Sequence, residues 1–203
     1  MSAILAMITA AVLIVYSLFH EKRTKGQVTQ ALVRRFVHPG HAWARTTEDG
    51  HIVVGIDEFA QSVIGSIREV KLPRLLSHVR QGRPAWVLVD GNRKLPIVSP
   101  ISGWVIEKNE AVLHNPSLVN VAPYGEGWLV KIKAYHLQDQ LRNMFAGRVA
   151  YEWQDSARSR LARFFSGTPA LMYQDGGTIT TDLAERCSNE EWKKLVREFF
   201  LVE

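Results

Sequence analysis

Residues 2–19 form an apolar run with no charged side chain, rich in Ala, Ile, Leu and Val. At a rise of about 1.5 Å per residue, about 18 residues reach about 27 Å, enough to cross a hydrocarbon core. No basic residue precedes the run and no small-x-small site follows it, so the pattern predicts an uncleaved transmembrane helix over residues 1–20. Val28, Leu32, Val33 and Phe36 then recur at helical spacing, predicting an amphipathic connector over residues 21–40 that ends at His38-Pro39-Gly40. From residue 41 to 134 the texture changes. Short apolar runs at 51–56, 67–72, 85–89, 104–107 and 128–132 are broken by Gly, Pro, Asn and Asp, the pattern of a mostly β sandwich or flattened barrel. One helix interrupts them over 56–64, with Phe59, Val63 and Ile64 on one face, Asp57 as N-cap and Gly65 as terminator.

Helical spacing returns over residues 135–203. Between Tyr135 and Phe165 there is no proline, and Leu137, Leu141, Phe145, Val149, Trp153 and Ala157 recur every fourth residue. Gly167-Thr168-Pro169 breaks that pattern, and residues 170–173 read as a short strand turning at Asp175-Gly176-Gly177. A last helix opens at Ser188 with Glu191 three residues on, a capping box, and carries Trp192, Leu195, Phe199 and Phe200 as an apolar stripe. The expected fold class is therefore α+β: a transmembrane helix, a β-rich domain and a helical C-terminal extension. These stripes exceed what a small β domain needs to cover, which makes Trp153, Trp192, Phe199 and Phe200 candidate contacts for another protein.

Composition adds limits rather than chemistry. The 203 residues are 46% hydrophobic and 22% charged, as in a folded protein, and the net charge is +5. So small a surplus is a weak case for nucleic acid, and none is expected as a partner. Lys22, Arg23, Lys25, Arg34 and Arg35 follow the apolar run closely, which by the positive-inside rule leaves the body of the protein in the cytoplasm. One cysteine, Cys187, excludes an intramolecular disulfide, and it reads as an inert thiol. His38 and His41 have metal-compatible spacing but no third ligand, so no metal is expected. No Ser-His-Asp signature, phosphate-binding loop or carboxylate pair is present, so the chain is read as a non-enzyme.

The β-rich segment carries a dense set of motifs. These are His41-Ala42-Trp43, Val54-Gly55-Ile56-Asp57-Glu58-Phe59-Ala60-Gln61, Leu72-Pro73 and Pro100-Ile101-Ser102-Gly103. Asn115-Pro116-Ser117-Leu118-Val119-Asn120 and Pro123-Tyr124-Gly125-Glu126-Gly127-Trp128-Leu129 complete the set. Over about residues 38 to 134 the chain resembles the glycine cleavage system H protein family. The resemblance implies a flattened β-barrel of the lipoyl type, with a lysine at a hairpin tip that is amidated by lipoic acid and carries an aminomethyl group. Aligned without a gap, the family's E-S-V-K falls here on Val89-Asp90-Gly91-Asn92. An asparagine amide is not nucleophilic, so Asn92 cannot accept the lipoyl group and no cofactor is expected. Lys94, two residues on, offers an amine about 6–7 Å from the tip and is the alternative attachment site.

The expected function is that of a membrane-anchored, non-catalytic scaffold subunit, by analogy within a bacterial membrane redox or energy-converting complex. Its partners would be other subunits, with the bilayer held through residues 2–19. The alternatives are a tethered lipoyl carrier using Lys94, or an adaptor. The adaptor would dock a soluble enzyme through the basic cluster Arg68, Lys71, Arg74, Arg80 and Arg83, with His78 among them.

Overall fold

The computed structural model describes residues 35–165 and 183–202. Two antiparallel sheets face one another across the main core. The larger contains β1 (Arg35–His38), β2 (Ala42–Thr46), β3 (Ile52–Ile56), β5 (His78–Val79), β8 (Gly103–Lys108), β9 (Val130–Ala134) and β10 (Phe145–Ala146), in the order β10-β1-β2-β3-β9-β8-β5. The smaller is β4 (Glu69–Lys71), β6 (Pro84–Asp90) and β7 (Arg93–Val98), ordered β4-β6-β7. Alternation places Ile52, Val54, Val105, Val130 and Ile132 of the large sheet, and Val70, Leu88, Leu95 and Ile97 of the small one, in a single buried cluster.

Helix α1 (Glu58–Ile64) plugs this cluster with Phe59, Ala60, Val63 and Ile64. The Asp57 side chain accepts from the Ala60 amide, and Gly65 ends the helix at φ +77°. Two short helices, α2 (Glu110–His114) and α3 (Leu118–Val121), join β8 to β9. Asn109 caps α2 and also donates to the carbonyls of Glu126 and Trp128, each at 2.7 Å, which pins the loop before β9.

Three expectations are corrected. Arg35–His38, read as the end of a helical connector, is strand β1, pairing with β2 and β10. The backbone follows the sheet because His38-Pro39-Gly40-His41 forms a tight hairpin loop, with His41 left-handed at φ +61° and its amide donating to the His38 carbonyl at 2.9 Å. The single helix expected from Tyr135 is instead α4 (Leu137–Leu141), edge strand β10 and α5 (Gly147–Phe164). A strict four-residue repeat drifts by about 40° per step around a helix. The face that α5 buries is accordingly Ala150, Gln154, Ala157 and Leu161, whereas Val149 is exposed. Finally, no helix among the described residues is long and apolar enough to cross a membrane, so a transmembrane helix is removed from the fold class. The run over 2–19 and the strand expected at 170–173 lie outside the described residues.

Beyond α5, α6 (Leu183–Arg186) and α7 (Asn189–Phe200) return to the sandwich. The Ser188–Glu191 capping box is formed in both directions. Trp192, Leu195, Val196, Phe199 and Phe200 then join the same buried cluster as the two sheets. Phe199 packs against Phe59 at 5.5 Å between ring centroids and against Phe164 at 6.1 Å. A buried ring of this size contributes about 3–5 kcal/mol. Phe199→Ala should therefore lower the urea midpoint by that amount of stability in one cooperative transition. An early, separate loss of helix alone would show that the extension folds apart from the sandwich.

Candidate functional site

The hairpin that the family resemblance singles out is formed by β6 and β7. Asp90 pairs with Arg93, Val89 with Lys94 and Leu88 with Leu95, which leaves a two-residue loop of Gly91 and Asn92. Gly91 has φ +53° while Asn92 has negative φ, the sign pattern of a type II′ hairpin turn. Both loop residues are exposed. The expected turn is thus present, and Asn92 stands at its tip.

The base of the turn is braced on both sides. Asp90 is buried, and its carboxylate accepts from the Arg68 Nε at 3.1 Å. On the other side, the Arg93 guanidinium donates to the Ala184 carbonyl at 2.8 Å, to Asn189 Oδ1 at 2.6 Å and to the Cys187 carbonyl. It also lies 5.7 Å from the Trp192 ring centre. Trp192 Nε1 in turn donates to the Lys94 carbonyl at 3.2 Å. The planar guanidinium fork satisfies carbonyls left open at the end of α6 while gripping the first turn of α7. The C-terminal extension is therefore bolted to the strand that descends from the tip.

A lipoyl arm does not fit the tip as it stands. Asn92 offers no amine, and the Arg93 guanidinium is committed to three acceptors. The Lys94 side chain is exposed in the row Glu69–Val89–Lys94, one residue pair below the Asp90–Arg93 pair. Cys187 is buried beside Arg93, and burial, with the nearby Glu191 charge, pushes its thiol up to about 11, so it is not a nucleophile at neutral pH.

A second cluster lies under α1. Asp57 is fully buried; its Oδ1 caps α1, and its Oδ2 receives His41 Nδ1 at 2.9 Å and Gln154 Nε2 at 3.1 Å. Burial pushes this carboxyl up, but the His41 charge and the three donors outweigh it and hold Asp57 below the usual carboxylate range. An ionised carboxylate only accepts, so His41 Nδ1 carries a proton. The His41 ring stacks on Phe59 at 3.9 Å, with Trp153 at 4.7 Å and Phe200 at 5.3 Å. His38 is held separately: its Nδ1 accepts from the Gly40 amide at 3.0 Å. Both histidines are therefore committed to the turn and the core.

The remaining candidates separate. Arg68 and Lys71 are paired, with Asp90 and Glu69 respectively, whereas Arg74, Arg80 and Arg83 are exposed and make no ion pair among the described residues. Trp153 is half-buried between Phe145 and His41. Trp192, Phe199 and Phe200 are buried in the chain's own core, so they are not surface contacts. Arg93 and Gln154 were not legible in the sequence, because the partners of Arg93 lie more than 90 positions away and Gln154 meets Asp57 across 97.

The sandwich is shared with the crystal structure of a glycine cleavage system H protein from Mycobacterium marinum. The two are 24% identical with a TM-score of 0.51, covering 61% of this chain and 95% of that one. That likeness defines the class as an H-protein-type β-sandwich. A family profile described as Glycine cleavage H-protein matches residues 34–155, and the chain belongs to that family. Among its relatives, glycine cleavage system H protein 2 of Aquifex aeolicus is 33% identical over 110 residues, covering 54% of this chain and 68% of the relative. The glycine cleavage system H protein of Saccharophagus degradans is 39% identical over 99 residues, covering 49% and 76%. A single-pass membrane location, with the bilayer as partner, is corrected with the fold class: no described helix is long and apolar enough to cross a membrane, and these relatives are named only as H proteins.

Two outcomes follow from this geometry. Arg93→Ala removes the bolt between hairpin and extension, and should raise amide hydrogen exchange across residues 183–200 while β2, β3 and β9 stay protected. Arg93→Lys should rescue little, since one ammonium cannot span three acceptors. Burial, with the neighbouring His41, lowers His38 from 6.5 to about 4. Protonation is opposed only in the folded chain, so this stability is complete above about pH 6.5 and is lost as the pH falls towards 4, by about 3 kcal/mol. His38→Asn, which keeps an acceptor for the Gly40 amide, should flatten unfolding free energy against pH over that window.

Proposed function

We propose that this chain is a non-catalytic member of the H-protein family that has given up the lipoyl arm and works by binding other proteins. The observation that carries this reading is Asn92 at the exposed tip of an otherwise intact two-residue hairpin. Carriage requires a primary amine on that rigid turn, and the tip supplies an amide. Supporting it, Arg93 and Trp192 tie the hairpin to the C-terminal extension, an arrangement suited to a fixed platform. The fixed hairpin, the buried Cys187 thiol and the bond of His41 to Asp57 also support a binding role.

The exposed Lys94 amine supports a second reading, a carrier whose attachment site has moved one residue pair down the hairpin. Intact-mass measurement of the full chain, expressed with lipoate and a lipoate ligase, separates the two. The non-carrier reading predicts the unmodified mass, and a lipoyl adduct lost in Lys94→Ala would establish the carrier. Asn92→Lys serves as the positive control, because the exposed tip should then present an amine where the family presents its own.

A further inference from the structure

The outer face of the large sheet is covered over only half its width. Val37 of β1, Trp43 of β2 and Val53 of β3 are buried there beneath Ala150 and Trp153 of α5, with Tyr124, Trp128 and Phe145. Val53 is level with Lys131 of β9, and two residues on, Lys133 sits opposite Trp104 of β8, which sits opposite His78 of β5. Directly opposed residues share a face, so His78, Trp104 and Lys133 continue the same outer surface. No described element covers it there. Trp104 is 50% exposed, and Tyr135, at the end of β9, is exposed beside it.

This uncovered half is ordered. The His78 ring stacks on Tyr135 at 5.7 Å, meets Trp104 edge-on at 5.2 Å, and its Nε2 lies 2.9 Å from the Tyr135 hydroxyl. The segment before β5 is tied to β8, because the Leu76 amide donates to the Val105 carbonyl and the Val105 amide to the Ser77 carbonyl. That segment holds Leu76 in the left-handed region at φ +60° with 73% of its surface exposed, next to exposed Leu75. A leucine there costs about 1–2 kcal/mol, and its side chain returns nothing to the core.

Basic residues adjoin this surface along the chain: Arg74 precedes Leu75, Arg80 lies two positions past His78, and Lys133 is paired with Trp104. Arg74, Arg80, Arg83 and Lys133 are exposed and make no ion pair among the described residues, while the nearby carboxylates Glu107 and Asp139 are paired with Lys131 and Arg142. An apolar, aromatic centre with an unneutralised basic rim is the anatomy of a protein-binding patch.

We infer that the Leu75–Leu76, Trp104 and Tyr135 surface docks an acidic amphipathic segment of another protein, its apolar side chains on Trp104 and Leu76 and its carboxylates on Arg80, Arg83 and Lys133. A second copy of this chain is a poor occupant, because the rim would face a like-charged rim. The inference gives the protein-binding reading a surface and a partner chemistry. It is independent of the hairpin: intact mass reports on lipoylation, and peptide binding reports on this face.

The probe is a fluorescein-labelled helical peptide of Glu and Leu with one apolar face, titrated against the full chain by anisotropy, with its Lys–Leu counterpart as control. The Glu–Leu peptide should bind, the Lys–Leu peptide should not, and added salt should weaken binding. Trp104→Ala and the double change Arg80→Glu, Arg83→Glu should each cost about tenfold in affinity, as loss of a central anchor or a charged rim does. All of these side chains are at the surface, so the fold should survive, which circular dichroism checks. Equal binding of both peptides, or binding untouched by either variant, would overturn the inference. So would self-association in sedimentation that Trp104→Ala abolishes, or binding of the chain to phosphatidylserine vesicles in place of the peptide.

Discussion

Asp57 places a full negative charge where water does not reach, and much of the surrounding chain is arranged to hold it. Its carboxylate starts α1 through the Ala60 amide, fixes the β1–β2 turn through His41 and anchors α5 through Gln154. Removing any one donor leaves a buried charge short of partners, which is the expensive case for such groups. The His41 ring, fixed by that bond, becomes a plate on which Phe59, Trp153 and Phe200 stack. Sandwich, α5 and the last helix thus meet at one carboxylate.

The C-terminal extension follows from the same constraint. Its aromatic stripe, which as a pattern suggests a docking face for a partner, is consumed in covering Phe59 and the hairpin strand. Arg93 then locks α6 and α7 to β7. The chain therefore uses its own tail where a small β domain would otherwise leave an apolar end exposed, and the uncovered surface lies elsewhere, on the β5–β8–β9 half of the large sheet.

The geometry of the hairpin is independent of the residue at its tip. Turn geometry depends on Gly91 and on the pairing of Val89, Leu88 and Asp90 with their partners across β7, none of which needs a lysine at position 92. The tip can lose its amine without disturbing the sheet. Its flanking arginines, Arg68 and Arg93, are held by Asp90 and by the C-terminal extension.

Local signals were readable without coordinates wherever a few neighbouring residues decide the outcome. Asp57 and Gly65 delimit a helix, Ser188 and Glu191 form a capping box, Gly91 permits a tight turn, and the motif spacing places Asn92 at its tip. Pattern misled where a local preference met a stronger distant one. Arg35–His38 has helical spacing, but the open edge of β2 recruits it as a strand. The repeat from Leu137 to Ala157 looks continuous, but Phe145–Ala146 pairs with β1 and resets the helix by a residue. Only the tertiary structure decided which aromatics are core and which are surface. Phe199 and Trp104 are both large apolar residues in the sequence, and what separates them is whether another element of the same chain lies above.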